Sequence, residues 1–221
     1  MDTIRDNVLK ILSTIPEGIQ VVAAAKTRNV KEIIEAIDSG ITIIGENYLQ
    51  ESREVIQEIG QKATWHFIGH IQKNKVKHIV PLFDMIETVD SAELAEMIDR
   101  HAEKHGRIMP VLIEVNSAEE PQKAGVMPGD VKALVEKISS LRNIQVQGLM
   151  TMGPFLEEPE GLREYFRITK VLFEELKDAA IENTKIQHLS MGMSDSYLIA
   201  IEEGATMVRI GTSIFGERIY P

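Results

Sequence analysis

Eight times along this chain a short run rich in β-branched or apolar residues is followed by a longer stretch with helical periodicity. Strands alternating with helices lead to a parallel sheet, because each crossover must run back over one face before the next strand begins. The runs 19–25, 41–45, 65–69, 84–89, 111–115, 144–150, 186–190 and 205–210 read as the strands. Between them, sets such as Ile33, Ile34 and Ile37, or Tyr165, Ile168, Leu172, Phe173 and Leu176, recur at helical spacing. Ser91 stands where an N-cap is needed. One further amphipathic helix, marked by Ile4, Val8, Ile11 and Leu12, precedes the first strand.

Eight such repeats in 221 residues predict a single (β/α)8 TIM-type barrel with an extra N-terminal helix, one domain over 1–221. A doubly wound open sheet is the rival, since strand count alone does not prove closure. No low-complexity linker or shift in composition divides the chain.

Bulk properties narrow the function. The chain has no cysteine, so disulfides, thiolate metal sites and cysteine nucleophiles are excluded. Its net charge of −10 disfavours nucleic acid and anionic membrane. The one basic segment, 73–78, has no interleaved aromatics and reads as a solvated helix face. No stretch approaches the roughly 18 apolar residues of a membrane span, and the start lacks a signal-peptide pattern. A cytoplasmic protein is the expectation.

Chemistry in a barrel of this kind sits at the carboxyl ends of the strands. Lys26 directly follows Val21-Val22-Ala23-Ala24-Ala25, so its stem should be partly buried at the barrel mouth. Desolvation favours a neutral amine able to attack a carbonyl, although a lysine that snorkels to water fits the same position. Gly211 and Thr212, after the last strand, offer unobstructed backbone N–H groups and a hydroxyl, and Ser190 or Ser194 can add another. Together they read as a phosphate cradle, the place after strands seven and eight where barrels often hold one. Singly they read as ordinary turn and cap residues.

Arg209 is a charge inside the apolar strand Met207-Val208-Arg209-Ile210 and needs a ligand or a buried partner such as Glu114. Other signals fail. Neither G-x-S-x-G nor G-x-G-x-x-G occurs, and Glu217 replaces the lysine that the Gly211–Gly216 spacing would need for a phosphate-binding loop. His101 and His105 read as solvated residues near a helix end, and no metal site emerges.

Several blocks carry a resemblance. They are Ala24-Ala25-Lys26-Thr27, Gly45-Glu46-Asn47-Tyr48, Trp65-His66-Phe67-Ile68-Gly69 with Gln72 and Asn74-Lys75, and Gly148-Leu149-Met150. Leu189-Ser190-Met191-Gly192-Met193-Ser194-Asp195 and the segment 208–216 complete the set. In this order they resemble the pyridoxal phosphate homeostasis proteins, relatives of the N-terminal barrel of alanine racemase.

The resemblance implies pyridoxal 5′-phosphate held by a Schiff base on Lys26. It puts Arg209 at the pyridine nitrogen, Asn47 in the ring pocket, and Ser190, Ser194, Gly211 and Thr212 around the phosphate. The residue before the lysine is often serine in such relatives and is Ala25 here. Racemisation needs a base on each face of the substrate carbon. Alanine racemases take the second from a tyrosine of another domain, and the chain stops at Pro221 just after the last strand. Of Tyr48, Tyr165, Tyr197 and Tyr220, only Tyr48 falls near the expected rim. A monomeric carrier or regulator of the cofactor is therefore expected, with no catalytic residue assigned and PLP-dependent apoenzymes as possible recipients. An amino-acid racemase is the alternative, and an aldolase-like Schiff-base enzyme is a third reading.

Overall fold

A computed structural model describes residues 3–217 of the chain, so Tyr220 lies outside the described residues. Eight strands form a closed, all-parallel barrel in sequence order, which removes the open-sheet alternative. They are β1 (Gln20–Ala24), β2 (Ile43–Glu46), β3 (Thr64–Phe67), β4 (Met85–Val89), β5 (Met109–Glu114), β6 (Ile144–Met150), β7 (Thr184–Ser190) and β8 (Met207–Ile210). β1 closes the ring against β8, with Val22 opposite Arg209.

Helices follow the strands: α1 (Ile4–Thr14) comes before β1, and α2 (Val30–Asp38) and α3 (Leu49–Ile59) follow β1 and β2. The basic segment supplies a 3-10 turn and the short α4 (Val76–Ile79). Beyond it lie α5 (Ala92–Lys104), α6 (Val131–Ile138), α7 (Arg163–Ala179), α8 (Tyr197–Glu202) and α9 (Thr212–Phe215). Local chemistry starts several of them. Thr3 with Asp6, and Asn29 with Glu32, form reciprocal capping boxes, and Ser91 caps α5 by accepting from the Leu94 N–H. The additional helix α1 packs beside α2 and α9, tied by Asn7, whose side-chain amide donates to the Ile214 carbonyl at 3.0 Å.

The apolar core lies mainly between strands and helices, where Ile33, Ile98, Val135 and Phe166 are fully buried. Two small clusters stand apart from it. Val22, Ile43 and Met207 form one, and Met85, Leu112 and Met150 the other. They fill the barrel lumen from alternate positions of neighbouring strands, as a closed barrel of this size demands. Two residues onward, at the next inward-facing position, come Ala24, Glu87, Glu114 and Arg209. Stepping up the lumen by one layer thus changes it from apolar to charged.

Glu46, at the end of β2, stands in the sheet-to-helix layer instead. It is buried, and Oε2 has no hydrogen-bond partner. Burial, reinforced by the nearby Glu51 charge, pushes its carboxyl up to about 8. A folded-state value above the unfolded one means the native state keeps a proton that the unfolded chain has lost. Stability should therefore fall as pH rises from about 4.5 to about 8 and level off beyond. Thermal unfolding of Glu46→Gln should show a flatter profile across that window, with a gain on the order of a few kcal/mol over the parent near pH 8. Parallel profiles for the two proteins would refute this.

Candidate functional site

The strand ends meet at one rim, and a cavity of about 670 Å³ opens there. Lys26, Asn47, Ser194, Arg209, Gly211 and Thr212 all line it. Met152, Met193 and Ser213 contribute further walls. Six of the seven residues singled out in the sequence are thus brought together.

Lys26 emerges just past β1, half-buried, with Nζ 4.8 Å from the centre of the Tyr48 ring. The next residue, Thr27, has φ +67°, an uncommon conformation for a β-branched side chain. Its N–H donates to Glu51 Oε2 at 3.2 Å. That turn follows the lysine directly, and the Lys26 side chain stands on the cavity wall beside the Tyr48 ring.

Asn47 is held from the neighbouring loop. A Cβ on Gly69 would lie 2.2 Å from the Asn47 carbonyl oxygen, so only glycine permits this approach of the two loops.

After β8 the backbone turns into α9. The N–H groups of Gly211 and Ser213 both donate to one oxygen, Ser194 Oγ, each at 3.2 Å. Two amides converging on one oxygen form an anion-receptive nest. Ser213 was not anticipated, because its contribution is a backbone amide that no side chain announces.

Ser190 departs from expectation. It is the last residue of β7, fully buried, and is absent from the cavity wall. Its hydroxyl donates to Glu87 Oε2 and accepts from Arg209 Nη1, both at 2.7 Å. It belongs to a polar layer beneath the cavity because an inward-facing residue at a strand's end points into the lumen, below the loops.

That layer also resolves the partner of Arg209. Its Nη2 donates to the Thr151 carbonyl at 2.8 Å, and Glu87 Oε2 lies 4.0 Å from Nη1. Glu87, rather than Glu114, is the close countercharge. Glu87 Oε1 meets His66 Nδ1 at 2.7 Å, and since a carboxylate only accepts, Nδ1 carries the proton. Burial alone would raise the Glu87 carboxyl. The His66 hydrogen bond and charge, Arg209 and the Ser190 hydroxyl outweigh it and hold the group below its ordinary value. Burial pulls the Arg209 guanidinium down while Glu87 and Glu114 oppose that. Glu87 was legible in principle, as a lone charge inside Met85-Ile86-Glu87-Thr88-Val89.

Glu114 faces the mouth beside this layer. Burial and the Asp90 charge push its carboxyl up to about 7, against the pull of Arg209. Among the described residues, no three His, Asp or Glu side chains group closely enough to hold a metal ion.

The family model for the alanine racemase N-terminal domain matches residues 1–219. The chain belongs to that family. Within it, the chain is 48% identical over 156 residues to a pyridoxal phosphate homeostasis protein of Aquifex aeolicus, covering 71% of this chain and 68% of the relative. A pyridoxal phosphate homeostasis protein of Vibrio alginolyticus is 36% identical over 235 aligned positions and the full length of both. These relatives place the chain in the pyridoxal phosphate homeostasis branch of the family. Among solved structures, PipY of Synechococcus elongatus with PLP bound superposes with a TM-score of 0.89 at 33% identity, covering 97% of this chain and 100% of that one. An alanine racemase of Clostridium difficile shares the fold, with a TM-score of 0.80 over 100% of this chain and 61% of its own.

Truncating one member of the buried layer leaves the others with unpaired charge. Glu87→Ala should lower the unfolding free energy by about 3–5 kcal/mol. Replacing Arg209 with Met as well should recover part of that loss, read from urea unfolding of the two single variants and the double. Strict additivity would show that the two charges are not coupled.

Proposed function

We propose that this chain holds pyridoxal 5′-phosphate as a Schiff base on Lys26 and acts in the homeostasis of that cofactor. The observation that carries the reading is one cavity walled by a lysine amine, an anchored arginine and a nest of backbone amides. The named homologues and the PLP-bound relative support it.

The residues present fit the group. A Cβ on Gly211 would press on the Ala24 carbonyl oxygen at 3.3 Å, so glycine suits the tight passage of the chain from β8 past β1. Gly211, Thr212, Ser213 and Ser194 would receive the phosphate, and Asn47 would lie against the ring. Arg209 is a donor only, so it would hold the ring nitrogen as an acceptor without a proton. When bound, the cofactor supplies an electrophilic carbon and a ring that withdraws electrons. An arginine opposite the nitrogen limits that withdrawal, which suits holding the molecule more than turning over substrates. Glu87 and Ser190 keep the guanidinium extended toward the cavity. Ser190 thereby acts on the cofactor through Arg209 and not on its phosphate.

We further infer a single-domain monomer in the cytoplasm that supplies the cofactor to apoenzymes. The acidic net charge opposes nucleic acid or anionic membrane as partners. Among the described residues, no helix is long and apolar enough to cross a membrane.

Incubation with pyridoxal phosphate should give a visible absorption band that borohydride abolishes, leaving a pyridoxyl-phosphate adduct on Lys26 by peptide mass analysis. Lys26→Ala should give neither, and a colourless parent that stays unlabelled with excess ligand would defeat the reading. Light scattering on the eluting protein should return the mass of one chain; twice that mass would overturn the monomer.

A further inference from the structure

Beside the Lys26 cavity lies a second one of about 340 Å³, with Asn47, Ile68 and Met152 in the walls of both. Most of its buried polar lining is engaged internally. The Thr88 hydroxyl donates to the Gly69 carbonyl at 2.7 Å. Asn116 pairs twice with the backbone of Glu120, and Ser117 shares a hydrogen bond with Thr151 at 2.9 Å. Lys123, on the same wall, is ion-paired with Glu120.

Glu114 is the exception. It is 9% exposed, and among the described residues no donor hydrogen-bonds its carboxylate. Arg209 attracts it from the lumen, but the Arg209 hydrogen bonds run to Ser190 and the Thr151 carbonyl and none reaches Glu114. Asp90 adds a second negative charge within electrostatic reach. The Glu114 oxygens keep contact with solvent, and a carboxylate that lines a cavity with no protein donor is open to a ligand that brings positive charge and N–H groups together. A divalent metal needs more ligands than converge here. A compact ammonium, with three donors and one charge, needs a single carboxylate and a few acceptors.

We propose that this second cavity binds a protonated primary amine, with Glu114 as its countercharge. The ammonium would sit against Glu114, and the rest of the ligand would run past Met152 toward the rim. Its volume is at the lower end of the range for small-molecule sites. Two sources carry this chemistry: a free amino acid, and a lysine side chain reaching in from another protein. The proposal rests on Glu114 and its surroundings and stands whether or not Lys26 carries a cofactor.

The test uses the full chain, freed of carbonyl compounds by hydroxylamine and dialysed, titrated separately with n-butylamine and L-alanine. Saturation-transfer NMR reads binding, and the side-chain carboxyl carbon of Glu114 is followed by ¹³C shift in the unsubstituted protein. At least one probe should bind with Kd of about 1 mM or tighter and move the Glu114 signal. Glu114→Gln, checked for fold by circular dichroism, should weaken binding about tenfold or more, whereas Glu58→Gln on the exposed face of α3 should not. Preference for n-butylamine supports a lysine side chain as the source, and preference for L-alanine supports a free amino acid. Failure of both probes to bind at about 50 mM overturns the proposal. So does a static Glu114 signal, or unchanged affinity in a folded Glu114→Gln.

Discussion

A guanidinium buried in the lumen of a barrel is the constraint around which the upper half of this molecule is arranged. Taking such a charge out of water is affordable only when countercharge and acceptors are already in place. Arg209 receives them from three other strands or their ends: Glu87 on β4, Ser190 on β7 and the carbonyl of Thr151 just past β6. His66 on β3 completes the set through Glu87. Five of the eight strands are thereby cross-linked by polar contacts at one level, directly above the apolar plug. The strands below and the loops above are separated by a polar floor, and the candidate cofactor cavity stands on it.

How much of this was legible in the sequence depended on what kind of signal each part leaves. Strand and helix order came through because parallel strands buried on both faces appear as short apolar runs, and the helices between them carry their own period. β6 falls on 144–150 as read, whereas β5 begins at Met109 and β7 at Thr184, each two residues earlier than the runs suggested. Pro110 and the polar Lys185 and Gln187 break the apolar pattern there without breaking the strand.

The candidate site was legible where side-chain chemistry is unusual for its setting. Lys26 after five apolar residues and Arg209 within a strand are anomalies that a reader can weigh. Glu87 is the same kind of anomaly and completes the Arg209 story, yet a lone glutamate attracts less notice than a lone arginine. Ser190 shows the limit of rim-based reasoning: as the last residue of β7 itself it supports Arg209 from below, whereas Ser194, in the loop beyond, lines the cavity. Ser213 and the Gly69–Asn47 approach leave no side-chain signature, because they depend on backbone amides and on the absence of a Cβ.

The two amides aimed at Ser194 Oγ have a consequence for exchange. In many anion sites, departure of the anion strands the N–H groups that held it, and the penalty for leaving them bare slows release. Here a resident hydroxyl already occupies that role, so the nest is satisfied by its own neighbour. If a phosphate binds there as proposed, an arriving oxygen would replace an existing partner and gain only the difference, while a departing one would surrender its place to the Ser194 hydroxyl. On the proposed function, such a site would trade depth of binding for ease of release, a balance that suits a holder whose cargo must leave again.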